Sequence, residues 1–125
     1  MSDADFVWAE FLAVARALIA TSQPTEAALR TAVSRAYYAA FGSTRSVLVE
    51  KHSYPSDYTR DDHTRVWERC EVLGTRTARD IATLGQSLKL YRWRADYRAD
   101  QSCTAKHAEL AVNTASRLIS LLPIL

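Results

Sequence analysis

Apolar residues return every third or fourth position along most of this chain, the period of an amphipathic helix. Phe6, Trp8, Phe11, Leu12, Ala15, Leu18 and Ile19 mark a first helical face. A helix is predicted from Asp3 to about Ala20, capped by Ser2 or Asp3, with an acidic start that suits the helix dipole. Thr21-Ser22-Gln23-Pro24 breaks the pattern, and Pro24 fits the first turn of the next helix. That second helix is predicted to be the longest, from about Pro24 to His52. Leu29, Ala32, Val33, Ala36, Tyr37, Ala40, Phe41 and Leu48 lie on its nearly unbroken apolar stripe, and the alanines let a neighbouring helix come close. A second stripe on the same helix, Arg35, Tyr38, Gly42 and Arg45, is neither plainly core nor plainly solvent.

Ser53-Tyr54-Pro55-Ser56-Asp57 reads as a loop. A third helix is expected from about Arg60 to Leu73, with Val66, Trp67, Cys70 and Leu73 inward and Gly74 as its C-cap. A fourth runs from about Thr77 to Tyr97, with Ile81, Leu84, Leu88, Tyr91 and Ala95 inward. A fifth spans about Cys103 to Leu122, with Leu110, Ala111, Thr114, Leu118, Ile119 and Leu122 inward, and Pro123 stops it. No alternating strand pattern competes. The prediction is an all-α fold, an up-down four-helix bundle with an additional short helix.

Composition supports helix: the chain holds only three Gly and three Pro in 125 residues, the two costly helix residues. Net charge is +2, so any basic site must come from local clustering. Arg76, Arg79, Lys89, Arg92, Arg94 and Arg98 crowd the fourth helix against only Asp80 and Asp96. Cys70 and Cys103 form no CxxC and read as reduced thiols of a cytoplasmic protein. The acidic start resembles no signal peptide, and no apolar run approaches the roughly 18 residues of a membrane span, so no membrane partner is expected.

His52, His63 and His107 are scattered, with no HExxH and no Cys/His ligand spacing, so no metal and no cofactor are expected. No glycine-rich phosphate loop and no GxSxG occurs. His63 reads as a first-turn polar residue whose ring packs on the bundle, in preference to a catalytic base.

Two Arg/Tyr segments remain: Ser34-Arg35-Ala36-Tyr37-Tyr38 and Arg92-Trp93-Arg94-Ala95-Asp96-Tyr97. Helices two and four can be neighbours in a bundle, so the segments can line one groove. Arginine suits phosphate because its planar fork makes two parallel, charge-assisted hydrogen bonds. Tyr38, Trp93 and Tyr97 can stack on bases, as aromatic side chains do for single-stranded RNA. A purely structural account also fits: Arg92 and Asp96 can pair at i, i+4, and Tyr37 and Tyr91 fall on apolar stripes. Spacing alone leaves both open.

Ser34-Arg35-Ala36-Tyr37-Tyr38-Ala39-Ala40-Phe41, followed by Arg45-Ser46-Val47-Leu48, resembles the second-helix signature of small HEPN-domain proteins. Leu88-x-x-x-Arg92-x-x-Ala95-Asp96-Tyr97 is similar to that family's second signature, an Arg followed by Ala-Asp-Tyr. Asp62-His63-Thr64-Arg65-Val66-Trp67 resembles its third helix, where a His precedes an apolar pair. The resemblance implies one HEPN-like helical domain over residues 1–125, usually a homodimer. It also implies a place beside a minimal nucleotidyltransferase in a toxin–antitoxin or defence pair. Catalytic members are metal-independent endoribonucleases that use an Arg and a His a few positions later.

Here the pattern departs. Arg92 matches the Arg, but Trp93 follows it where nucleases often have Asn, and the slots for His hold Tyr97, Arg98 and Ala99. Metal-free RNA cleavage needs groups that move protons near neutral pH, for which His is suited. Tyr, with a reference pKa of about 10, and Asp, at about 3.9, do not substitute without large shifts. The sequence therefore favours a HEPN protein that binds RNA, a nucleotide or a nucleotidyltransferase partner through Arg35, Tyr38, Arg92 and Arg94. One alternative is an atypical endoribonuclease using Arg92, Asp96 and Tyr97. The other is a non-catalytic dimeric interaction module. The resemblance further implies Tyr97 as the residue a transferase partner would modify with a nucleotide.

Overall fold

The structure, a computed structural model, describes residues 5–125. Five helices follow one another: α1 (Glu10–Ile19), α2 (Glu26–Lys51), α3 (Asp62–Leu73), α4 (Arg76–Tyr97) and α5 (Ala105–Leu121), and a 3-10 turn covers Leu122–Ile124. The described residues contain no strand. Helix α2 is the axis: α1, α4 and α5 all pack on it, while α3 lies mainly on α4. The expected four-helix bundle is thus α1, α2, α4 and α5, and α3 is the additional short helix. No described helix is long and apolar enough to cross a membrane.

The helix starts are set by threonines that sequence reading passed over. Thr25, Thr75 and Thr104 sit in extended backbone, and their side chains accept from the N–H groups of Ala28, Ala78 and His107. Each satisfies one of the four N–H groups a helix start leaves unpaired. So α2 begins after Thr25 rather than at Pro24, α4 at Arg76 rather than Thr77, and α5 at Ala105 rather than Cys103. Helix α3 ends at Gly74, whose φ of 76° is the left-handed cap conformation expected of it.

Helix α1 departs furthest. It begins at Glu10, not Asp3, and the expected caps Ser2 and Asp3 lie outside the described residues. Phe6 and Trp8 are two positions apart, which on a helix would turn them about 200° away from each other. Instead their rings cluster with Phe11, at centroid distances of 5.3, 5.0 and 5.9 Å. Trp8 also lies on Gly42 of α2, where a Cβ would stand 2.1 Å from the indole. Gly85 of α4 receives the buried Trp67 of α3 in the same way, at 2.3 Å. Leu110, expected inward, is exposed, because the buried stripe of α5 runs through Ala108, Ala111, Val112, Ala115 and Leu118.

The C-terminal end of α4 is tied to α2 by one side chain. Arg30 donates to the carbonyl oxygens of Ala95 at 2.9 Å, of Arg98 at 3.3 Å and of Gln101, while Glu26 pairs with it at 2.8 Å. A guanidinium there satisfies carbonyls the helix end leaves unpaired and opposes the negative end of its dipole. This fixes the turn that carries Arg92 to Tyr97 against the part of α2 that carries Ser34 to Tyr38.

Candidate functional site: an Arg/Tyr/His face on three helices

Tyr38 joins the two Arg/Tyr segments. The guanidinium carbon of Arg35 lies 4.8 Å from its ring centroid, and that of Arg92 lies 5.9 Å from it. Arg92 also stands over Tyr37 at 5.4 Å and Tyr97 at 5.9 Å. Arg35 completes its contacts on the Phe11 ring, 4.8 Å away. The faces of aromatic rings carry the negative part of the quadrupole, so they hold a cation without neutralising it.

Arg92 is largely withdrawn from water, with 14% of its side chain exposed. Its contact to Asp96 is long, 3.8 Å, and Asp96 also accepts from the Ser34 hydroxyl at 3.3 Å. Its Nε is buried and has no hydrogen-bond partner. An arginine has five N–H donors. The i, i+4 pair that the structural account foresaw is therefore present, but it leaves most of the guanidinium's hydrogen-bonding capacity unused.

The third contribution comes from α3. His63 sits in its first turn, with Nδ1 2.7 Å from the hydroxyl of Tyr37. Its ring stacks on Phe41 at 4.2 Å and meets the edge of Tyr38 at 5.8 Å. Tyr37 is fully buried, and burial pushes its phenol well above the ordinary range, so it keeps its proton. A buried hydroxyl proton with no acceptor is costly. The phenol therefore donates to Nδ1, and the neutral ring carries its own proton on Nε2.

His63 is held neutral. Burial pulls its pKa down to about 4, and Arg92, Lys89 and Arg45 add to the effect against the opposing charge of Asp62. Lys89 is anchored on the Thr64 hydroxyl at 3.1 Å. A histidine whose folded pKa lies below its unfolded value of about 6.5 leaves the unfolded chain binding more protons between those pH values. Stability is accordingly expected to fall as pH drops from about 6.5 to about 4. His63→Gln should flatten that part of a pH series of urea midpoints. An unchanged slope in the variant would show that His63 does not carry it.

The first turn of α3 is itself fixed from below. Asp62 is fully buried, accepts from the hydroxyls of Tyr54 and Ser56, and meets Arg45 at 3.5 Å. Arg45 lies among the rings of Trp8, Phe41 and Tyr58, at 5.3, 4.9 and 4.7 Å. These contacts set where His63 stands.

Of the residues singled out from sequence, Arg35, Tyr38, Arg92, Asp96 and Tyr97 come together on one face. Arg94 does not. Two positions along a helix turn a side chain about 200°, so Arg94 points away from Arg92 and lines a separate cavity with Tyr91 and His107. Tyr97 is 65% exposed at the end of α4. His63 was read from sequence as a ring packed on the bundle, and it does pack there. What sequence missed is that packing brings it to Tyr37, Tyr38 and Arg92. The one available signal was its place in the Asp62-to-Trp67 resemblance.

The helical bundle places the chain in a known class of domain. The family model for the HEPN domain matches residues 10–125, nearly the whole chain, and the protein belongs to that family. No curated protein and no solved structure matches the chain.

Proposed function

We propose that this HEPN protein binds single-stranded RNA through the face formed by Arg35, Tyr38, Arg92 and Tyr97, as one component of a toxin–antitoxin or defence pair. The observation that carries the reading is the sharing of one tyrosine ring by two arginines from different helices. Arg35 is oriented by aromatic faces with no ion pair to an acid among the described residues, and Arg92 by three rings and one long contact to Asp96, which leaves both with donors for phosphate oxygens. Tyr97, exposed beside them, offers a surface on which a base can stack. Loss of RNA affinity in the double variant Arg35→Ala/Arg92→Ala tests the reading; binding that survives in that variant contradicts it. In such a pair, Tyr97 is also the accessible hydroxyl a minimal nucleotidyltransferase partner would modify.

The homodimer belongs to the same proposal. Leu90 and Trp93 are exposed at i and i+3 on α4, an apolar patch that leaves Tyr97, one turn further on, free for RNA and the transferase. Exposed apolar patches of this kind mark interaction surfaces. Trp93→Glu is expected to turn a dimer into a monomer in analytical ultracentrifugation. A wild-type protein that is already monomeric at micromolar concentration removes this part of the proposal.

One observation favours a second reading, the metal-independent endoribonuclease. His63 brings to Arg92 the imidazole that α4 itself lacks. In that chemistry the ribose 2′ oxygen attacks phosphorus, the bond to the 5′ oxygen breaks, and the products are a 2′,3′-cyclic phosphate and a 5′ hydroxyl. Arg92 would stabilise the charge on the pentavalent phosphate and His63 would take part in proton transfer. Purified protein should then cleave RNA, with both Arg92→Ala and His63→Ala inactive. Intact RNA, or equal cutting by wild type and variants, rejects it.

A further inference from the structure

A cavity adjoins the Arg/Tyr face, sharing Arg30 and Ala95 with the groove that Ser34, Arg35 and Asp96 line. It lies between the end of α4, the start of α5 and the N-terminal half of α2, and measures about 320 Å³. That is at the lower end of the range of small-molecule sites. Val33, Tyr91 and Leu110 line it with apolar surface, and Arg30, Arg94 and His107 line it with nitrogen. Among the described residues, none that lines it is an Asp or Glu.

The three nitrogen-bearing side chains are not equivalent. Arg30 is committed to Glu26 and to backbone carbonyls, so it forms a rigid part of the wall. Arg94 has no ion-pair or hydrogen-bond partner for its guanidinium among the described residues. His107 takes part in the capping box of α5: its Nδ1 accepts from the backbone N–H of Thr104 at 3.1 Å. A nitrogen that accepts carries no proton, so the ring proton of His107 is on Nε2. That Nε2–H has no partner among the described residues. The cavity thus offers two unused donors, one of them charged, next to an aromatic ring and an aliphatic wall. No acid in the lining would repel an anion.

We propose that this cavity is a second ligand site, taking a small organic phosphate whose flat body lies against Tyr91 and Leu110 and whose phosphate oxygens meet Arg94 and His107. The site is distinct from the Arg/Tyr face that it adjoins, because Arg94 points away from Arg92 and neither Arg35 nor Arg92 lines the cavity. A nucleoside monophosphate joins a flat body to an anionic head, and AMP is the probe.

The experiment is a titration of the full chain with AMP, followed through the methyl signals of Val33 and Leu110 by NMR, with inorganic phosphate and adenosine as separate arms. AMP is expected to bind saturably and to move both methyl signals. Arg94→Ala should weaken it by about tenfold or more, in line with loss of a charge-assisted hydrogen bond. His107→Glu keeps an acceptor for the Thr104 N–H but puts a negative charge where the donor stood, and should abolish binding. Arg92→Ala should leave AMP affinity unchanged. Arg94 is exposed, so its removal does not threaten the fold. The proposal is overturned by an absence of saturable AMP binding, or by methyl signals that do not move. It is equally overturned if Arg92→Ala weakens AMP and Arg94→Ala does not, which would place the nucleotide on the Arg/Tyr face. Inorganic phosphate binding as tightly as AMP would show that the cavity wall takes no part.

Discussion

Replacing Asp62 by alanine is expected to lower the stability of this protein by about 3 to 5 kcal/mol, the usual cost of removing one partner from a buried ion pair. The carboxylate is fully buried and serves three side chains. Without it, Arg45 keeps its charge with 11% of its side chain exposed and no acid beside it. Tyr54 loses its acceptor as well. Its phenol is held well above the ordinary range by burial and by Asp62, so it stays a hydroxyl that must donate. For a domain of this size the loss corresponds to roughly 10 to 20 °C in melting temperature. Asp62→Asn keeps one acceptor oxygen and should cost clearly less. Thermal and urea melts decide it: a loss below about 1 kcal/mol in Asp62→Ala would mean that Arg45 and Tyr54 find other partners. Because Asp62 anchors the turn bearing His63, the same variant should also broaden the His63 ring signals.

The second large effect is on RNA. Arg35→Ala/Arg92→Ala is expected to weaken the binding of a short single-stranded RNA by about a hundredfold or more. Each guanidinium–phosphate contact is worth about 1.5 to 3 kcal/mol, and 1.4 kcal/mol is tenfold. Losing two phosphate contacts should also flatten the plot of log affinity against log salt by about 1.4, at about 0.7 per contact for a single strand. Arg94→Ala removes the same formal charge from the other side of α4 and should change both quantities little. If Arg94→Ala weakens RNA as much as Arg92→Ala does, the basic character of α4 as a whole carries binding, and the face described here does not. A thermal melt of the double variant separates lost binding from lost fold, since Arg92 is only 14% exposed and packs on three rings.

Much of the fold is legible in the sequence. The apolar stripes of α2 and α4 are long and regular, so their existence and inward faces followed from period alone. Helix starts did not, because a single threonine hydroxyl decides each one and apolar periodicity is blind to it. The N-terminal segment misled for a related reason: Phe6 and Trp8 are apolar, but their two-residue spacing belongs to a folded-over aromatic cluster rather than a helix face. The Arg/Tyr segments stood out by composition, yet their convergence on Tyr38 depends on the packing of α2 against α4. Arg30 gave no signal at all, since the carbonyls it caps lie more than sixty residues away, with |i−j| of 65 for Ala95 and 68 for Arg98. Arg94 was grouped with Arg92 by closeness in sequence, and helical rotation separates them. His63 reads in the sequence as a first-turn ring packed on the bundle, and the sequence pattern places an imidazole beside Arg92 only along α4, although one can arrive from α3 as readily.

The central claim is that α2, α3 and α4 together present one RNA-binding face. It is tested most directly by following aromatic ring signals while a short single-stranded RNA is added. Tyr38, His63 and Tyr97 are expected to shift together and to saturate at one RNA concentration, while the methyl signals of Val33 and Leu110 in the neighbouring cavity stay in place. Shifts confined to Val33 and Leu110, or a Tyr38 signal that ignores saturating RNA, would contradict it.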